Sequence, residues 1–288
     1  MTRWLAVDWG TSTLRLWPEG RAAAVRVSDK GMNALSPAGF APTLTELAGD
    51  LGVTGPVIAC GMLGARQGWA EAPYVPVPCA PPGVGAARMV TAGNLRVHIL
   101  PGVKQARPAD VMRGEETQIA GFLALNPGWD GVVCLPGTHT KWAHLSAGEI
   151  VSFQTFLTGE MFALLAERSI LRHTLGAGHD ASAFDAAVAD GMSRPAGVAA
   201  QLFRLRAEAL LEDLPGDAAR ARLSGLLIGA ELAAAKPYWL GQQVAVIGDG
   251  TMADNYAAAL AAQGAAPTRA GAQDVTLAGL RAAYEAMT

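Results

Sequence analysis

A chain of 288 residues with 51% hydrophobic content is long enough for two cores of roughly 100–150 residues each. Its formal charge of −3, with Lys and Arg scattered, excludes a nucleic-acid footprint but leaves room for a small anion held by local cations. Three distant cysteines (Cys60, Cys79, Cys134) argue against a disulfide framework or zinc site and for a reducing compartment.

From the N-terminus, "AVDWGTSTLRLW" reads as a strand ending near the lone carboxylate of Asp8, then a turn of Gly10, Thr11, Ser12 and Thr13. Strands are expected at about 3–9, 12–17 and 22–28, and a helix at 44–52. "PVIAC" is a buried strand ending at Gly61, and the Gly- and Pro-rich stretch after it a loop. "LRVHILPGV" alternates as a strand, and "EETQIAGFLAL" forms a helix stopped by Asn126-Pro127-Gly128. That stop predicts a domain boundary, with one domain over 1–128 and a second over 129–288.

The second half opens as the first does. With Ala6 placed on Val133, Gly10 falls on Gly137, Thr11 on Thr138 and Thr13 on Thr140, and both segments run on through a strand, polar turn and strand. The second trio spans about 131–136, 140–146 and 149–155. The copies differ at one position: Asp8 in the first is matched by Leu135 in the second. Only the first copy brings a carboxylate to its turn. Helices are expected at 158–172, 195–213, 218–236, 252–263 and 274–287, a strand at "QVAVIGD", and a loop over the Gly- and Asp-rich 176–190. The chance reading, two unrelated hairpins with hydroxyl-rich turns, remains beside the duplication.

No GxxxxGK[ST] motif is present, so a P-loop is excluded. "GDGTMA" fits G-x-G-x-x-A after a strand, but the roughly 35 residues that remain leave no room for a dinucleotide fold. What survives is local: Gly248 and Gly250 let a ligand approach the backbone at a helix N-terminus. No stretch reaches about 18 uncharged apolar residues, and Asp8 interrupts the only apolar run near the N-terminus. No membrane partner or signal peptide is expected, and the expected location is cytoplasmic.

These turns resemble those of the actin, Hsp70 and sugar-kinase superfamily: Asp8, Gly10, Thr11 and Thr13 match its first phosphate turn, Gly137 and Thr138 its second. Gly248 matches its adenosine turn, although Asp249 stands where a second glycine is usual. The stretches "GMLGARQGWAEAPYVPVPC", "DVMRGEETQIAG", "LPGTHTKW", "FLTGEMFALLAERSIL" and "LSGLLIGAEL" narrow the resemblance to the 2-dehydro-3-deoxygalactonokinase family, from the N-terminus to about residue 260. It implies an α/β fold of two ribonuclease-H-like domains with mixed sheets flanking an ATP cleft. It also implies phosphorylation of the C6 hydroxyl of a 2-keto-3-deoxy sugar acid by ATP.

On that basis Asp8 is the expected Mg²⁺ residue, holding the ion through water; the competing reading is a turn cap. Backbone N–H groups of Gly10, Thr11, Ser12, Thr13, Gly137, Thr138, His139 and Thr140 would face the phosphates, with Lys141 as a nearby charge or a plain strand residue. Glu115 and Glu116 occupy the place where such kinases carry their base. Two adjacent acids cannot share one helix face, so only one is expected to point inward, Glu115 being preferred because it directly follows Gly114. Helix-end charge complementarity explains both. Arg66 and Arg113 are candidates for the substrate carboxylate, and Trp69 for a pocket wall. Solvated arginines and loop packing are the competing readings. Alternatives to this kinase are one for 2-dehydro-3-deoxygluconate or another sugar, a non-catalytic ATP or sugar sensor, and an actin- or Hsp70-like ATPase.

Overall fold

The computed structural model describes residues 2–287. Its chain contacts divide it into two units: Met1–Asp130 with Leu145–Phe153 and Ala270–Thr288, and Gly131–His144 with Gln154–Arg269.

In the first unit β1 (Leu5–Trp9), β2 (Leu14–Pro18) and β3 (Arg26–Ser28) form an antiparallel meander, followed by α1 (Phe40–Ala48) and β4 (Val57–Gly61). Then come β5 (Tyr74–Pro76), β6 (Arg88–Ala92), β7 (Leu95–Ile99), β8 (Gly102–Gln105), β9 (Asp110–Met112) and α2 (Glu115–Leu125). Six strands make one mixed sheet in the order β3-β2-β1-β4-β7-β6, with β1, β4 and β7 parallel. Strands in that position are covered on both faces, which is why "PVIAC" reads as a continuous apolar run. On one face Leu5, Val7 and Trp9 pack with Phe40 and Leu44 of α1. On the other Trp4, Ala6, Ile58 and Cys60 pack with Leu277, Leu280 and Ala283 near the C-terminus. Every residue of β1 is buried except Asp8.

The chain runs on through β10 (Gly131–Leu135), β11 (Thr140–Ser146) and β12 (Glu149–Phe156), of which Leu145–Phe153 count with the first unit. The second unit continues with α3 (Thr158–Arg168), α4 (Ala181–Ser193), α5 (Val198–Leu211) and α6 (Gly216–Ala234). A short α7 (Lys236–Trp239), β13 (Val244–Ile247), α8 (Gly250–Ala262), β14 (Thr268–Ala270) and α9 (Ala272–Glu285) complete the chain, α9 counting with the first unit. The sheet order is β12-β11-β10-β13-β14, with β10 and β13 parallel. Val132, Cys134, Trp142 and Val246 pack there with Phe184, Ile228, Leu232 and Tyr256. Among the described residues no helix is long and apolar enough to cross a membrane.

Several local expectations need correction. Residues 176–190 are not a loop throughout, because α4 begins at Ala181. The Asp180 side chain caps it by accepting the Ala183 N–H at 3.0 Å, and its buried face runs Phe184, Ala187, Val188, Gly191. That face packs on α6 at backbone distance: a Cβ on Gly225 or Gly229 would strike the α4 main chain. Small residues hid the helix by carrying little hydrophobic contrast. The expected helix at 44–52 sits earlier, at Phe40–Ala48, and the third strand shrinks to Arg26–Ser28. "LRVHILPGV" breaks into β7 and β8, which belong to different sheets, and the Pro-rich loop contains β5, paired with β8.

Candidate active site

The turn after β1 is pinned from behind. The Gly10 N–H donates to the Thr13 carbonyl at 2.8 Å, and the Gly10 and Thr11 carbonyls accept from Met32 and Asn33. Among the described residues no acceptor takes the N–H groups of Thr11, Ser12 or Thr13. Unpaired N–H groups on an exposed turn make an anion-receptive surface.

Sheet register sets what surrounds Asp8. Antiparallel pairing puts Arg15 opposite it, and Arg15 Nη1 lies 3.1 Å from Asp8 Oδ2. Parallel pairing puts Cys60 on its other side, with the thiol 3.9 Å from Asp8 Oδ1. Burial raises the Asp8 carboxyl above its ordinary value, and Arg15 opposes the shift. Burial, with the Asp8 and Glu116 charges added, pushes the Cys60 thiol well up, so it stays an inert neutral group.

Gly61 and Gly114 close the back of this site. Both have positive φ, +98° and +104°, and a Cβ on Gly114 would lie 3.4 Å from the Gly61 Cα. A Cβ on Gly61 would be driven into the Trp9 carbonyl. Gly114 caps α2, whose first two residues are the acid pair. Against the expectation, Glu116 and not Glu115 points inward: it is 1% exposed and accepts the Gly114 N–H on both oxygens (2.9 and 2.7 Å) and the Thr117 hydroxyl at 3.2 Å. Burial and then the neighbouring Glu115 charge push its carboxyl up to about 7. Glu115 is half-buried and accepts the Arg113 N–H at 3.0 Å.

The candidate substrate residues divide. Arg113 is buried: Nη2 donates to the Ala72 carbonyl at 2.9 Å, Nε to the Tyr74 hydroxyl at 3.4 Å, and the guanidinium lies 4.2 Å over the Tyr74 ring. Its Nη1 is buried with no hydrogen-bond partner. Arg66 is 81% exposed, with Glu71 at 3.6 Å. Trp69 is half-buried against Trp9 and Phe40, with ring centroids 6.4 and 6.2 Å away. Asp8, Cys60, Gly61, Gly114 and the acid pair are thus gathered, Arg113 adjoins them, and Arg66 stands apart.

In the second unit the 137–140 turn repeats the device. No acceptor among the described residues takes the N–H groups of Gly137, Thr138 or His139. The first turn of α3 backs it: Glu160 N–H donates to the Thr138 carbonyl at 2.9 Å, and a Cβ on Gly159 would land on the Gly137 carbonyl. His139 Nε2 lies 2.6 Å from Glu160 Oε2. Lys141 is buried, and its Nζ donates to the His139 carbonyl at 3.3 Å.

Below the turn lies a carboxylate that the sequence reading passed over. Glu231, 3% exposed on α6, accepts from Trp142 Nε1 at 2.7 Å, from the Tyr256 hydroxyl at 2.6 Å and from the Thr158 hydroxyl. Tyr256 also meets the Thr140 hydroxyl at 3.0 Å. Burial raises the Glu231 carboxyl and its three donors pull it back. A single acid inside "LLIGAELAAA" was the available clue, since such a residue on an apolar helix must be buried with partners.

Beside this network is a cavity of about 400 Å³, lined by Thr158 and Phe162 of α3, Arg220 and Ser224 of α6, and Thr251, Asn255 and Tyr256 of α8. Arg220 lies 5.0 Å over the Phe162 ring, and Asn255 Nδ2 is 3.5 Å from Ser224 Oγ. Gly248 and Gly250 lie at the start of α8, Gly250 with φ of +69°. Among the described residues no group of three or more His, Cys, Asp or Glu could hold a metal.

Two units, each with a mixed sheet and an N–H-lined turn after its first strand, define the actin-like ATPase and sugar-kinase fold. A solved structure of that fold, (R)-2-hydroxyglutaryl-CoA dehydratase component A from Acidaminococcus fermentans, matches 99% of this chain and 98% of its own with a TM-score of 0.56 at 14% identity. The chain belongs to the 2-keto-3-deoxy-galactonokinase family, whose model matches residues 8–283. It is 40% identical to "Probable 2-dehydro-3-deoxygalactonokinase DgoK1" of Rhizobium meliloti (strain 1021), over 98% of this chain and 96% of that one. It is 34% identical to the 2-dehydro-3-deoxygalactonokinase of Escherichia coli (strain K12), over 99% and 98%. The crystal structure of a Sinorhizobium meliloti protein superposes with a TM-score of 0.91 at 39% identity, covering 99% of this chain and 96% of that one.

Proposed function

We propose that this chain transfers the γ-phosphoryl group of ATP to the C6 hydroxyl of 2-dehydro-3-deoxy-D-galactonate. The observation that carries the reading is the match to the galactonokinase family along residues 8–283. The enzyme class follows from it: a phosphotransferase with an alcohol group as acceptor.

Phosphoryl transfer asks for positioning and charge stabilisation rather than covalent chemistry by the protein. Glu115 is the base. It directly follows Gly114 and is the less buried of the acid pair, so a hydroxyl can approach it, while Glu116 is closed off. Glu115 takes the C6 hydroxyl proton, O6 forms the new bond to the γ-phosphorus, and the bond from that phosphorus to the β–γ bridging oxygen breaks, releasing ADP. The free N–H groups of residues 11–13 and 137–139 are the donors available to phosphate oxygens. The cavity beside α8 has the size and mixed lining of a nucleoside pocket, with Ser224 and Asn255 as its polar pair.

With no group of three or more His, Cys, Asp or Glu among the described residues to strip its waters, an ion at Asp8 would keep most of them, so Asp8 fits Mg²⁺ bound through water. When bound, Mg²⁺ supplies charge neutralisation at the phosphates. For the sugar-acid carboxylate, Arg66 is the exposed candidate and Arg113 the buried one. Arg113 needs a local opening to reach a ligand, and its partnerless Nη1 is the donor it would offer.

The deciding experiment is kcat/KM with ATP for a panel of 2-keto-3-deoxy sugar acids and plain hexoses, with ADP release coupled to a detector. The galacto-configured acid is expected to lead by at least about tenfold, since a hydroxyl-reading site rejects a misplaced hydroxyl strongly. Preference for the gluco-configured acid or a hexose overturns the substrate, and nucleotide binding without turnover points to a sensor.

A further inference from the structure

The motif "LSGLLIGAEL" gives only Ser224 to the nucleotide reading above, yet it also carries the buried carboxylate of the second unit. Three donors from three elements converge on Glu231: Trp142 from β11, Thr158 from the first residue of α3, and Tyr256 from α8. Each reaches a part of the nucleotide machinery. Thr158 and Tyr256 line the cavity, whereas Glu231 does not. Tyr256 bonds to Thr140, the last residue of the turn, and Trp142 lies two residues further along β11. Thr158 opens the α3 turn whose Gly159 is pressed against the Gly137 carbonyl and whose Glu160 N–H holds the Thr138 carbonyl.

We propose that Glu231 is the positioning residue for the phosphoryl donor, a single carboxylate that sets the 137–140 turn, the start of α3 and the cavity wall of α8 in one arrangement. This rests on the nucleotide reading given above. A carboxylate suits the task because it only accepts, so two hydroxyls and an indole can all point at it and be held. An amide of the same shape cannot do so. With Glu231→Gln the oxygen still serves Trp142, but the NH₂ faces Thr158 and Tyr256, which must turn their protons away. Tyr256 then donates to Thr140, and every bond can be made with altered directions. The variant is therefore expected to fold with its donor site displaced.

Calorimetric Kd values for ADP and for an ATP analogue with a non-hydrolysable β–γ bridge, measured on the full chain, test this. Glu231→Gln, Thr158→Val and Tyr256→Phe are each expected to weaken both ligands by about tenfold, the scale of one charge-assisted hydrogen bond. Thr158→Ser, which keeps the hydroxyl, should stay within about twofold of the parent. KM for the sugar acid should not move in any of them. A merely structural Glu231 predicts lower melting temperatures with unchanged Kd for the folded protein, and that outcome overturns the proposal. Should Glu231→Gln fail to fold, Thr158→Val and Tyr256→Phe decide the matter, since each deletes one bond to the same carboxylate. Nucleotide binding by the parent without turnover of any sugar acid overturns the substrate assignment and leaves this proposal to stand or fall on Kd. No nucleotide binding by the parent overturns both.

Discussion

The two Gly-Thr turns share one backbone device and differ in what surrounds it. The 10–13 turn lies in a region of acids: Asp8 on its own strand, Glu116 packed toward Cys60, and Glu115 at the start of α2. The 137–140 turn follows an entirely apolar strand and is backed by hydroxyls, an indole, the buried Glu231 and the partly exposed Glu160 that meets His139. Asp8 and Leu135 hold equivalent positions, so only the first turn has a carboxylate on the strand that leads into it. A repeated hairpin supplies N–H groups twice, and its neighbours decide what each copy does.

The largest expected effect breaks the comparison if it fails. Glu115→Gln removes the proposed base and should lower kcat by about 10²- to 10⁴-fold with KM for both substrates nearly unchanged. If single-turnover rates in that variant match the parent, the acids of the first region are only helix caps.

Asp8→Asn comes next, with an expected fall in kcat of about 10²- to 10³-fold. The Asp8–Arg15 pair is partly exposed, so melting should shift by no more than about 1 kcal/mol. Arg15→Gln sharpens the test because it removes the ion pair and leaves the Asp8 charge. A kcat as low as that of Asp8→Asn would assign the effect to the pair and not to the metal charge.

Glu116 makes the first region pH-sensitive in stability. Its folded carboxyl, raised from 4.5 to about 7, binds more protons than the unfolded chain between those values. Stability from this group is therefore full below about pH 4.5 and lost as pH rises through about 7. At about 1.4 kcal/mol per unit the span is worth about 3 kcal/mol, and Glu116→Gln should flatten that slope in denaturation curves taken from pH 5 to 8. An unchanged slope would show that Glu116 stays ionised in the fold.

The smallest effect belongs to the second turn. His139 and Glu160 are 44% and 41% exposed, and their pairing is worth less than about 1 kcal/mol. Glu160→Gln should change kcat/KM for ATP by less than about threefold. A larger loss, read in steady-state kinetics, would give the second region a charged residue with a direct part in the reaction.

The chain order itself carried the repeated hairpins, the glycines of both turns and the acid pair after Gly114, because local chemistry specifies them. A Gly-Thr turn between alternating strands, or acids at the head of an apolar helix, needs no distant partner to be recognised. Three things were decided only by tertiary structure. Which of Glu115 and Glu116 turns inward shows only in the packed helix start, where Glu116 is buried on the Gly114 N–H and Glu115 is left half-buried. Whether Arg113 meets solvent depends on Ala72 and Tyr74, some forty residues away. That Glu231 is a hub depends on Trp142, Thr158 and Tyr256 arriving from three separate elements, up to 89 residues from it in sequence. Helical and strand periodicity register burial along one segment. The partner of a buried charge is fixed by packing between segments, and only the folded chain brings those together.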